Sequence, residues 1–255
     1  MLKLKKLLGI ILSLSLLLCT SVVSHAEDCL HWYLKRSKGG APTFPLEAEE
    51  ITEYNALYID KSADETRKKI YLTFDVGYEN GNVEKILDAL KEEGVTAAFF
   101  LLDNIILKNT DLVIRMADEG HLLCNHTKNH KNLSYASEEE IANNLKALEI
   151  ICEEKTGREM TKFFRFPEGK YSINSLKCLK KLGYTTVFWS FAYDDWDNCR
   201  QPNAEKSIKK ILNNTHNGAI MLFHPTSSTN AEIFPTLIKE WKKMGYSFGS
   251  LYDLI

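Results

Sequence analysis

From residue 67 onward, short apolar runs alternate with longer amphipathic stretches, and that alternation leaves few folds open. Strand-like runs lie at 70–74, 96–101, 121–124, 162–165, 185–189, 219–223 and 247–248. Between them, residues 82–92, 111–118, 138–155, 173–182, 204–213 and 231–243 carry apolar side chains at three- and four-residue spacing, the period of a helix with one buried face. Gly94, Gly120, Gly157, Gly183 and Gly245 suit the C-terminal stops of these helices. Seven strands with intervening helices and no internal repeat predict a parallel α/β barrel lacking one unit, with an open doubly wound sheet as the alternative.

The first run, Ile70-Tyr71-Leu72-Thr73-Phe74, is broken by Asp75-Val76-Gly77. Asp75 is thereby expected just past a strand's C-terminal end, where barrels of this kind build active sites. Its competing role is to cap a helix beginning near Asn82. Other polar residues recur at equivalent places. His126 and His130 follow the third strand four residues apart, a spacing that sets two imidazoles on one side of a helical turn and lets them share a metal. After the fourth strand, Arg165 precedes a rigid proline turn and suits a partner role that keeps Asp75 ionised. Asp194-Asp195-Trp196 follows the fifth strand, and His224 closes the apolar sixth. Together these residues supply a base, a metal clamp, an orienting cation and an acid, the parts for metal-assisted hydrolysis of an amide or ester.

The remaining sequence sets limits. With 32 basic residues against 34 acidic ones there is no electrostatic footprint for nucleic acid. Lys3, Lys5 and Lys6 precede an apolar run from Leu7 to about Val23 and then Ser24-His25-Ala26, which predicts a secretory signal over residues 1–26, cleaved after Ala26. An uncleaved membrane anchor is the alternative. Residues 27–66 hold Trp32, two prolines and an acidic patch without a sustained period, and are expected to wrap residues 67–255 with Trp32-Tyr33 packed against the barrel. Cys29, Cys124, Cys152, Cys178 and Cys199 match neither a disulfide framework nor a zinc knuckle, so mostly free thiols are expected.

Over residues 67–255 the chain resembles the polysaccharide deacetylases of the NodB-homology class, also called carbohydrate esterase family 4. Thr73-Phe74-Asp75-Val76-Gly77 is similar to their Thr-Phe-Asp-Asp-Gly motif, and His126 and His130 match their His-x-x-x-His. Arg165 to Gly169 matches Arg-x-Pro-x-Gly, Asp195-Trp196 the Asp-Trp motif, and Leu222-Phe223-His224 the Leu-x-His motif. Within the class, Tyr78-Glu79-Asn80-Gly81, the Trp-containing extension and Phe188-Trp189-Ser190 look most like the PdaA-type enzymes, which deacetylate muramic acid during δ-lactam formation in spore-cortex peptidoglycan.

The resemblance implies a distorted (β/α)7 barrel and a hydrolase acting on peptidoglycan glycan strands. It makes Asp75 the base that activates water and His224 the acid that protonates the departing amine. Asp195 would orient His224, and Arg165 would tune Asp75. Trp196 and Leu222, with Pro167 and Tyr78, would contact substrate, while His126 and His130 would hold a divalent metal, zinc or similar. One position departs from the pattern: Val76 stands where the class has a second, metal-binding aspartate, and it offers no donor atom. Phe166, after the motif arginine, is expected to alter the groove wall. The resemblance further implies a monomer that acts after a muramoyl amidase in the cell envelope, with the forespore intermembrane space as one such place, and a chitin- or xylan-type deacetylase or an inactive glycan-binding module as alternatives.

Overall fold

The structure is a computed structural model describing residues 29–37, 40–64 and 66–255. The expected signal and its cleavage point lie outside the described residues. In chain order the strands are β1 (Leu30–His31), β2 (Ala56–Leu57), β3 (Lys69–Val76), β4 (Ala98–Leu101), β5 (Leu122–Asn125), β6 (Phe163–Phe164), β7 (Lys170–Tyr171), β8 (Thr185–Val187), β9 (Ala219–Phe223) and β10 (Ser247–Phe248). The helices are α1 (Val83–Glu92), α2 (Asp103–Lys108), α3 (Thr110–Asp118), α4 (Glu138–Thr156), α5 (Ile173–Lys181), α6 (Ala204–Asn214) and α7 (Ser228–Lys243).

Local chemistry sets these boundaries. Ser137 and Glu140 form a reciprocal capping box at the start of α4, and Gly157 ends that helix in the left-handed region at φ 65°. Helix α7 begins three residues before the sequence pattern suggests, because the Ser227 hydroxyl accepts from the Asn230 amide; Pro235 sits inside it. Helix α2 was absent from the pattern, being only six residues long.

The sheet is parallel and curled, in the order β10, β3, β4, β5, β6, β8, β2, with β9 on the other edge of β3. This is the distorted (β/α)7 barrel. Strand β3 is its hub, since Phe74 pairs with Phe99 of β4 on one side and with Phe223 of β9 on the other. The gap between β8 and β9 is filled from upstream of residue 67. Strand β2 runs parallel to β8, Ile59 bridges Ala219, and Phe191, beyond β8, bridges Met221.

Strand alternation divides the core into layers. Ile70, Leu72, Phe74 and Val76 join an outer cluster with the helices, including Leu87, Phe234 and Trp241. Tyr71 faces inward among Ala98, Phe100, Cys124, Val187 and Ile220, the barrel's filling. The same parity sends Thr73 and Asp75 to the interior. A third cluster joins the N-terminal segment to the barrel: Trp32 is buried, stacks on Phe188 at a ring separation of 4.7 Å, and donates its indole N–H to the Trp189 carbonyl at 2.9 Å. Tyr33, expected to pack beside it, is 57% exposed, because adjacent residues of an extended segment point to opposite sides. The five described cysteines are free thiols, three of them buried.

Candidate active site

Asp75 is the penultimate residue of β3 and not a residue beyond its end, so the sheet itself fixes it. It does not cap α1. Instead its Oδ1 accepts from Arg165 Nη1 at 2.8 Å. Arg165 is fully buried just past β6, and three further donors of its guanidinium are engaged: Nε donates to the Val187 carbonyl at 2.9 Å and Nη2 to Thr73 Oγ1 at 2.9 Å and the Phe188 carbonyl at 3.4 Å. The Phe100 ring lies 4.1 Å beneath the guanidinium carbon. Burial would raise the Asp75 carboxyl, but Arg165, aided by His126 and His224, outweighs it and holds the group below the usual carboxylate range. Asp75 is therefore an ionised base at neutral pH.

His224 follows β9. Its backbone N–H donates to Asp195 Oδ2 at 2.9 Å, and its Nδ1 donates to Asp195 Oδ1 at 2.7 Å. That bond leaves Nε2 to face the cavity. Asp195 is fully buried and takes a third bond from Asn230 Nδ2 at 2.7 Å. Asn230 also donates to the His224 carbonyl at 3.0 Å, tying acid and orienting carboxylate to α7. Burial opposes a charge on His224, yet the Asp195 carboxylate and then Asp75 overcome it and raise its pKa above the ordinary value.

The two assemblies open onto one cavity of about 730 Å³, lined among others by Asp75, His126, His130, Leu222 and His224. Trp196, 61% exposed, and Tyr78, 45% exposed, stand on its wall, and the Asn198 amide donates to the Tyr78 hydroxyl. Pro167 does not reach the cavity: it is buried at the start of a 3₁₀ turn over Pro167–Gly169 that turns Glu168, at φ 57°, toward the opening instead. Phe166 likewise lies 1% exposed in the cluster around Trp32 and is no part of the groove wall. Sequence reasoning missed Asn230, Trp189, Glu168, Thr226 and Arg36. Asn230 falls just before the helix expected at 231–243, Trp189 and Glu168 lie inside motif segments without standing out in them, and Thr226 and Arg36 carry no signal until the chain is folded.

The histidine pair is brought together, but not by a helix. Residues 126–130 form an irregular loop with Thr127 at φ 70° and His130 at φ 60°. The two rings are 5.2 Å apart. His126 Nδ1 lies 2.9 Å from the Arg165 carbonyl; a carbonyl only accepts, so Nδ1 carries the hydrogen and Nε2 faces Asp75 Oδ2 at 3.5 Å. Burial lowers the His126 pKa to about 4, so the ring is neutral. Polysaccharide deacetylases of the class that the motifs resemble are generally metal-dependent. Here Val76 packs in the outer cluster, and among the described residues no group of three or more His, Cys, Asp or Glu is arranged to hold an ion. The residues do not fit a closed three-ligand site.

A curled parallel sheet whose strand ends present an ionised carboxylate opposite a carboxylate-bound imidazole defines a hydrolase of the carbohydrate esterase type. The chain belongs to the polysaccharide deacetylase family, whose model matches residues 62–187. It is 36% identical to the peptidoglycan-N-acetylmuramic acid deacetylase PdaA of Bacillus subtilis, over 90% of this chain and 87% of that protein. It is 38% identical to an uncharacterized 30.6 kDa protein of Geobacillus stearothermophilus, over 97% of this chain and 92% of that one. The solved structure of B. subtilis PdaA, a family 4 carbohydrate esterase, superposes with a TM-score of 0.83 over 89% of this chain and 97% of that one.

Proposed function

We propose that this protein removes the acetyl group of N-acetylmuramic acid in peptidoglycan glycan strands. The observation that carries this reading is that Asp75, paired with Arg165, and His224, paired with Asp195, line one cavity from the ends of two different strands. The choice of sugar is supported by the B. subtilis relative and by the Tyr78-Glu79-Asn80-Gly81 segment.

Water held by Asp75 attacks the acetamide carbonyl carbon as the carboxylate takes its proton, giving a tetrahedral carbon. His224, protonated, delivers a proton to the amide nitrogen, the carbon–nitrogen bond breaks, and acetate and a free amine leave. Arg165 keeps the base ionised, and Asp195 fixes the ring that gives the proton. Such paired acid and base groups contribute roughly 10²- to 10⁴-fold each.

We place the enzyme in the cell envelope after export, acting as a monomer on strands from which a muramoyl amidase has removed peptide, in the route to the muramic δ-lactam of spore cortex. A divalent ion would rest on His126 and His130 alone. Mass spectrometry of glycan strands treated with purified protein tests the reading: deacetylated muramic acid is the expected product. Release of acetate from chitin or acetylxylan oligomers but not from muramoyl strands would overturn the sugar assignment.

A further inference from the structure

We infer that Arg36, a residue of the N-terminal segment, recognises a carboxylate on the substrate: the free lactyl carboxylate of the muramoyl residue being deacetylated. The assignment rests on the muramoyl reading above and concerns how that sugar is told from its neighbours.

Arg36 lies four residues after the buried Trp32, on a segment pinned by the antiparallel bridge between Lys35 and Thr43. It lines the same cavity as Asp75 and His224, and among the described lining residues it is the one side chain with a permanent positive charge. Arg165 is buried behind Asp75 and does not line the cavity, and Glu168 is paired with Lys170. Arg36 Nη2 donates to the Ala192 carbonyl. Among the described residues no carboxylate comes within ion-pair distance of it, so most of its donor fork is unspent. Ala192 is three residues before Asp195, the group that holds His224, so the guanidinium and the acid are positioned by one stretch of chain.

Sugar chemistry explains why a cation belongs there. In a muramoyl residue the acetamide and the lactyl ether are on adjacent ring carbons, so a site that grips the acetamide necessarily faces the lactyl group. A glucosaminyl residue carries a hydroxyl at that carbon, and a peptide-bearing muramoyl residue carries a neutral amide in place of the carboxylate. An arginine fork pairs with the free carboxylate and with neither alternative in the same strength. The N-terminal segment thereby acts as a selectivity element.

The test compares wild type, Arg36→Ala and Arg36→Lys in the full chain. Substrates are peptide-free muramoyl strands with a free lactyl carboxylate and the same strands with that group converted to a methylamide. The readout is the ratio of kcat/KM for acid over amide. Wild type should favour the acid by about ten- to hundredfold, the size of a charge-assisted bond. Arg36→Ala should collapse the ratio toward unity through KM, and Arg36→Lys should restore part of it. Wild-type acetate release that is equal on both forms, or an unchanged ratio in Arg36→Ala, would overturn the assignment while leaving the muramoyl reading standing. No release by wild type from either form would remove that reading and this assignment together.

Discussion

His224 and Asp75 carry opposite demands on one reaction: the imidazole must hold a proton that the carboxylate must lack. The neighbours of each meet these demands. Asp195 raises the His224 pKa, so activity should fall on the alkaline side only above the ordinary histidine value of 6.5, as the acid loses its proton. Asp75 is held below 3.8, so the acidic limb should lie far below neutrality. Asp195→Asn keeps the shape and removes the charge, and should move the alkaline limb of the kcat/KM profile downward; a limb that stays in place would show that another group supplies the proton. Arg165→Ala leaves Asp75 buried without its partner. It should destabilise the fold by about 3–5 kcal/mol in urea denaturation, as loss of one member of a buried pair does. The retained imidazoles of His126 and His130 form an incomplete ligand set. If titration with zinc, manganese or magnesium raises acetate release, saturation is expected only at high free ion, and activity should not survive gel filtration into chelator-treated buffer.

At the scale of elements, the outline of the barrel was readable from the sequence because periodicity reports burial. All seven apolar runs became strands, and all six amphipathic stretches became helices. The glycines expected at helix ends take positive φ, from 64° at Gly94 to 85° at Gly245. What escaped notice was made by single contacts without a repeat. Strand β2 is two residues long, and its role in filling the β8–β9 gap depends on register with a distant strand. The His126–His130 loop has helical spacing but adopts left-handed residues, since the Asn125 side-chain oxygen accepts from the Thr127 amide and the turn never becomes a helix. The seam also yields a test. Gly218 donates to the Lys69 carbonyl and accepts from Asp60 at φ 75°, and a Cβ there would stand 2.3 Å from the Asp60 oxygen. Gly218→Ala should therefore lower stability by roughly 1–3 kcal/mol in urea titration. An unchanged midpoint would mean the seam does not hold the barrel closed.

Over the whole molecule, three buried histidines weaken the fold in acid: burial lowers the pKa of His216 as it does those of His121 and His126. His121 and His126 are both pushed by burial to about 4 in the fold, against 6.5 when unfolded. Their contribution is complete above 6.5 and is lost as pH falls toward 4, at up to roughly 1.4 kcal/mol per pH unit for each group. His224 has the opposite sign: its raised pKa adds stability that is full below 6.5 and declines as pH rises through its folded value. Stability should thus peak close to pH 6.5, and urea midpoints that climb steadily down to pH 5 would contradict these assignments. Catalysis depends on β3 and β9 delivering Asp75 and His224 to one cavity as base and acid. The most direct measurement is acetate release from peptide-free muramoyl strands by wild type, Asp75→Asn and His224→Ala, each checked for an unchanged folded state. Losses of roughly 10²- to 10⁴-fold in kcat for each variant are expected. Wild-type rates in Asp75→Asn would contradict these roles.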